Sequence, residues 1–156
     1  VEGSRIILFE VQALVTFTHF PNPRRMSDGI DLNRLIIIAA VLERHAGLKL
    51  NNFDIFINIS GGLNVHETAS DLAVAAAIAS SLKDIPIPHK VGFLGELSLS
   101  GEVRPISQLS RRVREFSLSG FDTLVLPQNE QKEVISQFEG AIKPINHISE
   151  ILNLLF

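Results

Sequence analysis

Residues 5–17, RIILFEVQALVTF, alternate in character: Ile7, Phe9, Val11, Ala13, Val15 and Phe17 fall on one face and Glu10, Gln12 and Thr16 on the other. That period of two predicts a strand with one solvated side. THFPNPRRMSDGI (18–30) follows, with two prolines and two arginines, and reads as a loop throughout. A loop of that length inside a compact domain is commonly functional. Asp31 then caps a helix running to about His45 and closed by Gly47. Its middle, LIIIAAVL, is apolar on every side, which predicts burial all round.

FDIFINIS (53–60) predicts a strand broken by Gly61-Gly62, and the next helix is expected over about 69–82. KDIPIPHK is its proline-punctuated exit. VGFLGELSLSGEVRPI (91–106) reads as a strand, a tight turn near Ser100-Gly101 and a short return strand. Residues 107–119 form an arginine-bearing helix stopped by Gly120, and FDTLVLP a further strand. NEQKEVISQF is helical in pattern and AIKPI strand-like, while Ile148, Ile151, Leu152 and Leu155 mark one face of a last helix. Alternating helices and strands place the chain in the α/β class, with a mixed sheet packed by helices.

At 156 residues the chain fits a single domain, 1–156. No apolar run approaches the length needed to cross a bilayer, no N-terminal leader pattern is present, and there is no cysteine. A cytoplasmic location is the expectation. The net charge of −3 gives no global attraction for nucleic acid, so any such contact must be local. The first residue is not methionine, and a longer parent protein is expected.

The stretch VHETASDLAVAAAIASSL (65–82) carries the most pointed chemical question. Ser70 stands where a loop becomes a helix, which makes it a candidate nucleophile. Thr68 and Asp71 also fit a capping box, with side-chain acceptors for free helical N–H groups. A serine nucleophile needs a base within hydrogen-bond reach, and His66 lies across the loop-to-helix junction rather than alongside. Capping is the reading the residues favour. HETAS lacks the second histidine of a zinc-protease helix, and His19, His45, His66, His89 and His147 show no metal-ligand spacing. SGGLN lacks the lysine of a phosphate loop, so its glycines read as a bulge or tight turn.

Two basic clusters remain: Arg24 and Arg25 in the long loop, and Arg111, Arg112 and Arg114 on the later helix. The guanidinium fork matches phosphate oxygens, so both are candidates for nucleic-acid or inter-subunit contact. Arg111 and Arg114 share a helix face, and Arg112 points about a quarter-turn away. A solvated helix face or a subunit salt bridge explains the same spacing.

LVTFTHFPNPRRMSDGIDLNRLIIIAAVLERHAGLKL, FINISGGLNVHETASDLAVAAAIASSL and GELSLSGEVRP together resemble the C-terminal domain of the bacterial RadA (Sms) DNA-repair proteins, a relative of the Lon protease domain. The likeness covers nearly the whole chain and thins over the last thirty residues. It implies a Lon protease-like fold of the ribosomal protein S5 domain 2-like kind. In Lon proteases a serine starts this helix and a lysine on the next helix is its base. Aligned on Gly95, Gly101 and Pro105, the serine position falls on Ala69 and the lysine position on Arg112. Both members of the dyad are thus replaced, and the resemblance implies no peptidase activity, a residual Ser70 peptidase being the alternative. An always-protonated arginine is no substitute for a desolvated lysine base.

The family further implies a homo-hexameric ring scaffold, contact with single-stranded or branched DNA, cooperation with the RecA recombinase, and ATP-dependent branch migration by the parent protein. ATP, magnesium and zinc are expected only in other domains of that parent, with no cofactor or metal and no membrane partner for this one. A Lon-like domain of a magnesium-chelatase-like competence protein is a further alternative, with its similarity confined to the SDLAVA helix start.

Overall fold

The computed structural model describes residues 1, 3–128 and 132–156. The first strand, β1 (Val11–Phe17), is shorter than the alternating stretch, but the alternation holds from Val11 to Val15. It pairs antiparallel with β3 (Phe53–Ile59), Ala13 opposite Ile57 and Val15 opposite Ile55. The expected loop between them is not irregular throughout. Arg25–Asp28 form β2, an edge strand parallel to β3 in a sheet ordered β1-β3-β2. A polar four-residue segment after two prolines carries no strand signal of its own. It is captured by the central strand, whose Ile55 N–H donates to Arg24 O at 2.9 Å.

Helix α1 (Leu32–Ala46) begins and ends as its sequence dictates: Asp31 accepts from the Arg34 N–H, and Gly47 closes it at φ 69°. The expectation of burial all round does not hold. Leu35, Ile38, Ala39, Val41 and Leu42 are buried, while Leu32 and Ile36 are 45% exposed. A helix on one face of a three-stranded sheet has one side left to solvent, however apolar that side is.

Helix α2 (Asp71–Lys83) is preceded by a single 3-10 turn over Thr68–Ser70, and Gly61 and Gly62 form another tight turn, both at positive φ. The predicted strand 91–106 separates into two structures. β4 (Val91–Phe93) joins β7 (Thr123–Pro127) and β8 (Ala141–Ile145) in an all-parallel sheet ordered β4-β7-β8. β5 (Glu96–Leu97) and β6 (Val103–Arg104) form a separate hairpin, whose turn places Gly101 at φ +86°. The strands make two three-stranded sheets, the first of them mixed as expected and the second all-parallel, and a separate hairpin, and the class is α/β.

α3 (Leu109–Leu118) is followed by Gly120, as predicted, and α4 (Lys132–Ser136) covers part of NEQKEVISQF. The first three residues of that stretch, 129–131, lie outside the described residues. A 3-10 turn at Ile148–Glu150 leads into α5 (Ile151–Leu155), with Ile148 and Ile151 fully buried. The main core gathers the inner face of the first sheet, α1, α2 and Val125 of β7. A second core joins Leu124 and Leu126 of β7 to Leu109, Val113 and Phe116 of α3.

Candidate functional site

A cleft of about 930 Å³ runs along α2, bounded by residues 6–11, the β4 edge and α3. Glu67, Ala69, Ser70 and Arg112 all line it, so the two positions singled out by the Lon resemblance share one cavity. Ala69 is 6% exposed and presents only a methyl group. Arg112, equally buried, turns inward as its quarter-turn offset from Arg111 and Arg114 requires. Its Nη1 and Nη2 donate to Oε1 and Oε2 of Glu67 at 2.9 Å each, and Nε donates to Ser107 O at 2.9 Å. The fork engages both carboxylate oxygens. The Arg112 guanidinium holds the Glu67 carboxyl down to about 2, against the pull of its partial burial.

The capping expectation for Thr68, Ser70 and Asp71 is not met. No side chain caps α2: Thr68 Oγ1 donates to Glu96, and Ser70 Oγ donates to Glu67 O at 3.4 Å. Asp71, 2% exposed, instead takes a bidentate pair from Arg34 and the Leu97 N–H at 2.9 Å. Burial pushes its carboxyl up, opposed by those donors. Backbone bonds complete the helix start, Leu72 N donating to Gly95 O at 3.1 Å and Gly95 N to Ala69 O at 3.0 Å. Long-range partners displaced the local box because the 3-10 turn swings these side chains away from the free N–H groups. Among the described residues Ser70 has no histidine or lysine as hydrogen-bond partner.

The long-loop arginines divide. Arg24 keeps a half-exposed side chain, yet its Nη2 lies 2.9 Å and its Nε 3.2 Å from Asp54 Oδ2. Its backbone N–H donates to Asp54 Oδ1 at 2.7 Å, and that bond leads the guanidinium in holding Asp54 at about 2. The guanidinium also stacks between Phe20 and Phe56, at 4.6 and 5.5 Å from the ring centroids. Arg25 is turned in, donating to the carbonyls of Arg24, Leu50 and Phe53, and burial lowers its guanidinium, opposed by Glu43 and Asp54. On α3, Arg111 and Arg114 are exposed; Arg111 contacts Gln108 and the Ser4 carbonyl. Of the five candidate arginines, Arg24, Arg111 and Arg114 present charge to solvent, and Arg25 and Arg112 do not.

His45 and His147 do meet, their rings edge-on at 5.6 Å, with Nε2 of each at 3.0 Å from the carbonyls of Leu99 and Ser100 respectively. Among the described residues no group of three or more histidine, aspartate or glutamate side chains is placed to hold a metal ion. Glu67 and Asp54, the partners that decide which arginines are available, carried no signal of these pairings: Glu67 was weighed only within HETAS, and Asp54 only as part of a strand.

Residues 32–130 match the family model described as subunit ChlI of Mg-chelatase. This likeness extends well beyond the SDLAVA helix start. The chain is 44% identical to the DNA repair protein RadA of Pseudomonas aeruginosa over 156 residues, 99% of this chain and 34% of that protein. It is 43% identical to the protein of the same name from Streptococcus pneumoniae, covering 100% of this chain and 37% of that one. With the Bacillus subtilis protein it shares 46% over 127 residues, 81% of this chain and 28% of that one. The chain thus spans about a third of the length of these relatives.

Proposed function

The chain belongs to the family described as subunit ChlI of Mg-chelatase, and from that footing we propose that it serves as the Lon protease-like domain of a RadA-type DNA repair protein, with no peptidase activity of its own. The observation that carries the second half is the pairing of Arg112 with Glu67 beside Ala69. A methyl group offers no nucleophile, and a bidentate, always-charged guanidinium takes no proton. The relatives' shared name, at 40–46% identity over most or all of this chain, supports the repair role.

In this reading the domain is a ring scaffold in a homo-hexamer, working in the cytoplasm with the RecA recombinase during ATP-driven branch migration. The ATP, magnesium and zinc sites belong to the rest of the parent protein. No helix among the described residues is long and apolar enough to cross a membrane. Of the five candidate arginines, DNA contact falls to Arg24, Arg111 and Arg114, the three that are solvent-exposed. With a net charge of −3, one copy grips DNA weakly, and a ring gathers such sites by raising their effective concentration.

The test is fluorescence anisotropy of single-stranded DNA across a salt titration, with oligomer mass read by light scattering in the same buffer. Salt-sensitive binding that weakens in Arg111→Ala and Arg114→Ala supports the DNA-contacting reading. A verified oligomer that fails to bind at low salt overturns that part and leaves the scaffold. Labelling by a serine-directed reagent that disappears in Ser70→Ala overturns the inactive reading.

A further inference from the structure

We infer that the outer face of the first sheet is a self-association surface, on which a second copy of this chain packs face to face about a two-fold axis. The odd-numbered residues of β1 and β3, Ala13, Val15, Ile55 and Ile57 among them, enter the main core with α1 and α2. Alternation turns the even-numbered ones to the opposite face. Register then sets three apolar residues in one row across that face, Leu14 opposite Phe56 and Phe56 opposite Met26. Leu14 is 58% exposed and Met26 53%, and none of the three belongs to either core. An apolar strip left open on a sheet face is the pattern of a surface that packs against another sheet.

The charges beside the strip name the partner. Arg24 stands at the start of β2, its side chain half exposed and its guanidinium over the Phe56 ring. Asp28 ends β2 on the same face, exposed and without an ion pair among the described residues. Met26 lies midway, so the two charges flank the row at about 7 Å on either side. A two-fold axis along the Leu14–Phe56–Met26 row lays each of these residues over its own counterpart. The same rotation reverses the strands, and Arg24 of each copy meets Asp28 of the other. Two ion pairs then bracket one apolar strip, and this chain alone supplies both complementary charges. Sheets stacked about 10 Å apart leave room for side chains of this size.

Such a contact is isologous and closes at two copies, whereas a ring is built from head-to-tail contacts. It goes beyond the ring proposed above and does not rest on it. Three strands span only about 14 Å, so the pair belongs to the weak, concentration-dependent class. It occupies Arg24 and leaves Arg111 and Arg114 for DNA.

The test reads the mass of the chain by sedimentation equilibrium from micromolar to millimolar protein, with ¹⁵N spectra at both ends. The mass is expected to double, with shifts at the amides of Leu14, Phe56 and Met26. Leu14→Glu sets like charges together on the axis and should hold the mass at half that of the unsubstituted chain. Asp28→Arg sets arginine against Arg24 and should do the same. Arg24→Glu fails alone, but mixed with Asp28→Arg it should recover the doubled mass, each variant supplying the charge the other lacks. Arg24→Glu also gives up its bond to Asp54; should it unfold, Leu14→Glu and Asp28→Arg, both at exposed positions, carry the test. A mass that stays at one copy to millimolar protein, or one that no substitution lowers, overturns the pair; a six-copy mass of the latter kind leaves the ring standing. Loss in Leu14→Glu with Asp28→Arg unaffected overturns the two-fold register. Shifts along the row produced by single-stranded DNA and not by protein concentration give the face to nucleic acid and overturn the pair.

Discussion

Arg34 and Asp71 join three elements at one point. From α1, the Arg34 guanidinium grips both carboxylate oxygens of Asp71 at the head of α2, and it also donates to Leu97 O on β5 at 2.9 Å. Asp71 in turn accepts the Leu97 N–H. The contact that the sequence offers as a local cap is the junction of two helices and a hairpin.

Asp71→Ala therefore leaves a partly buried guanidinium and a buried N–H without acceptors. We expect a loss of about 3–5 kcal/mol, the cost of breaking a buried pair from one side. Urea unfolding followed by circular dichroism measures it. A loss below 1 kcal/mol would show the junction to be incidental.

The Arg112–Glu67 pair predicts a smaller effect, because Glu67 is 34% exposed in its side chain. Glu67→Gln is expected to cost about 1–3 kcal/mol, after discounting for solvent at that carboxylate. Replacing both residues by apolar ones of similar size, Glu67→Leu with Arg112→Met, should recover most of the loss. A double-mutant cycle with no coupling would contradict the geometry.

Acid sensitivity follows from Glu67 and Asp54, both held at about 2, below ordinary values of 4.5 and 3.8. A carboxylate with a depressed folded value stabilises the fold above its unfolded value, and that contribution disappears as pH falls through the folded one. Stability should decline from about pH 4.5 to about pH 2. Glu67→Gln and Asp54→Asn should each flatten that decline in urea midpoints recorded across the range. A slope unchanged in both variants would move the titrating groups elsewhere.

The two arginine environments give opposite phenotypes. Arg25→Ala removes donors from the carbonyls of Leu50 and Phe53 and should cost about 1–2 kcal/mol of stability. It should leave the salt dependence of DNA binding unchanged. Arg111→Ala and Arg114→Ala should barely touch stability and each reduce the salt slope by about 0.7. A reduced slope in Arg25→Ala would mean that its guanidinium reaches phosphate after all.

At Gly101 the backbone adopts φ +86°, and a Cβ there would lie 2.5 Å from Nε2 of His147 and 3.0 Å from Cβ of His45. Gly101→Ala should cost about 1–3 kcal/mol from the conformation and the crowding together. Hydrogen exchange at the hairpin amides locates the damage. Protection equal to that of the unsubstituted chain would rule the crowding out.

Where residues act on near neighbours, the sequence was legible. Asp31 and Gly47 bracket α1 as written, and the alternation of β1 survives from Val11 to Val15. Where partners are distant, it was not. β2 forms because Arg24 O receives the N–H of Ile55, and Arg25 turns inward because the carbonyls of Leu50 and Phe53 converge there. The inward turn of Arg112 was legible as an angle on the helix, but Glu67 as its destination was not, since 45 positions separate them.

The central position of β7 has a thermal consequence. Leu124 and Leu126 enter one core and Val125 the other, so a single strand is the party wall of both. Neither side can melt without stripping packing from the other. The two halves should thus pass from ordered to disordered as one unit, giving a single calorimetric peak whose van't Hoff and measured enthalpies agree.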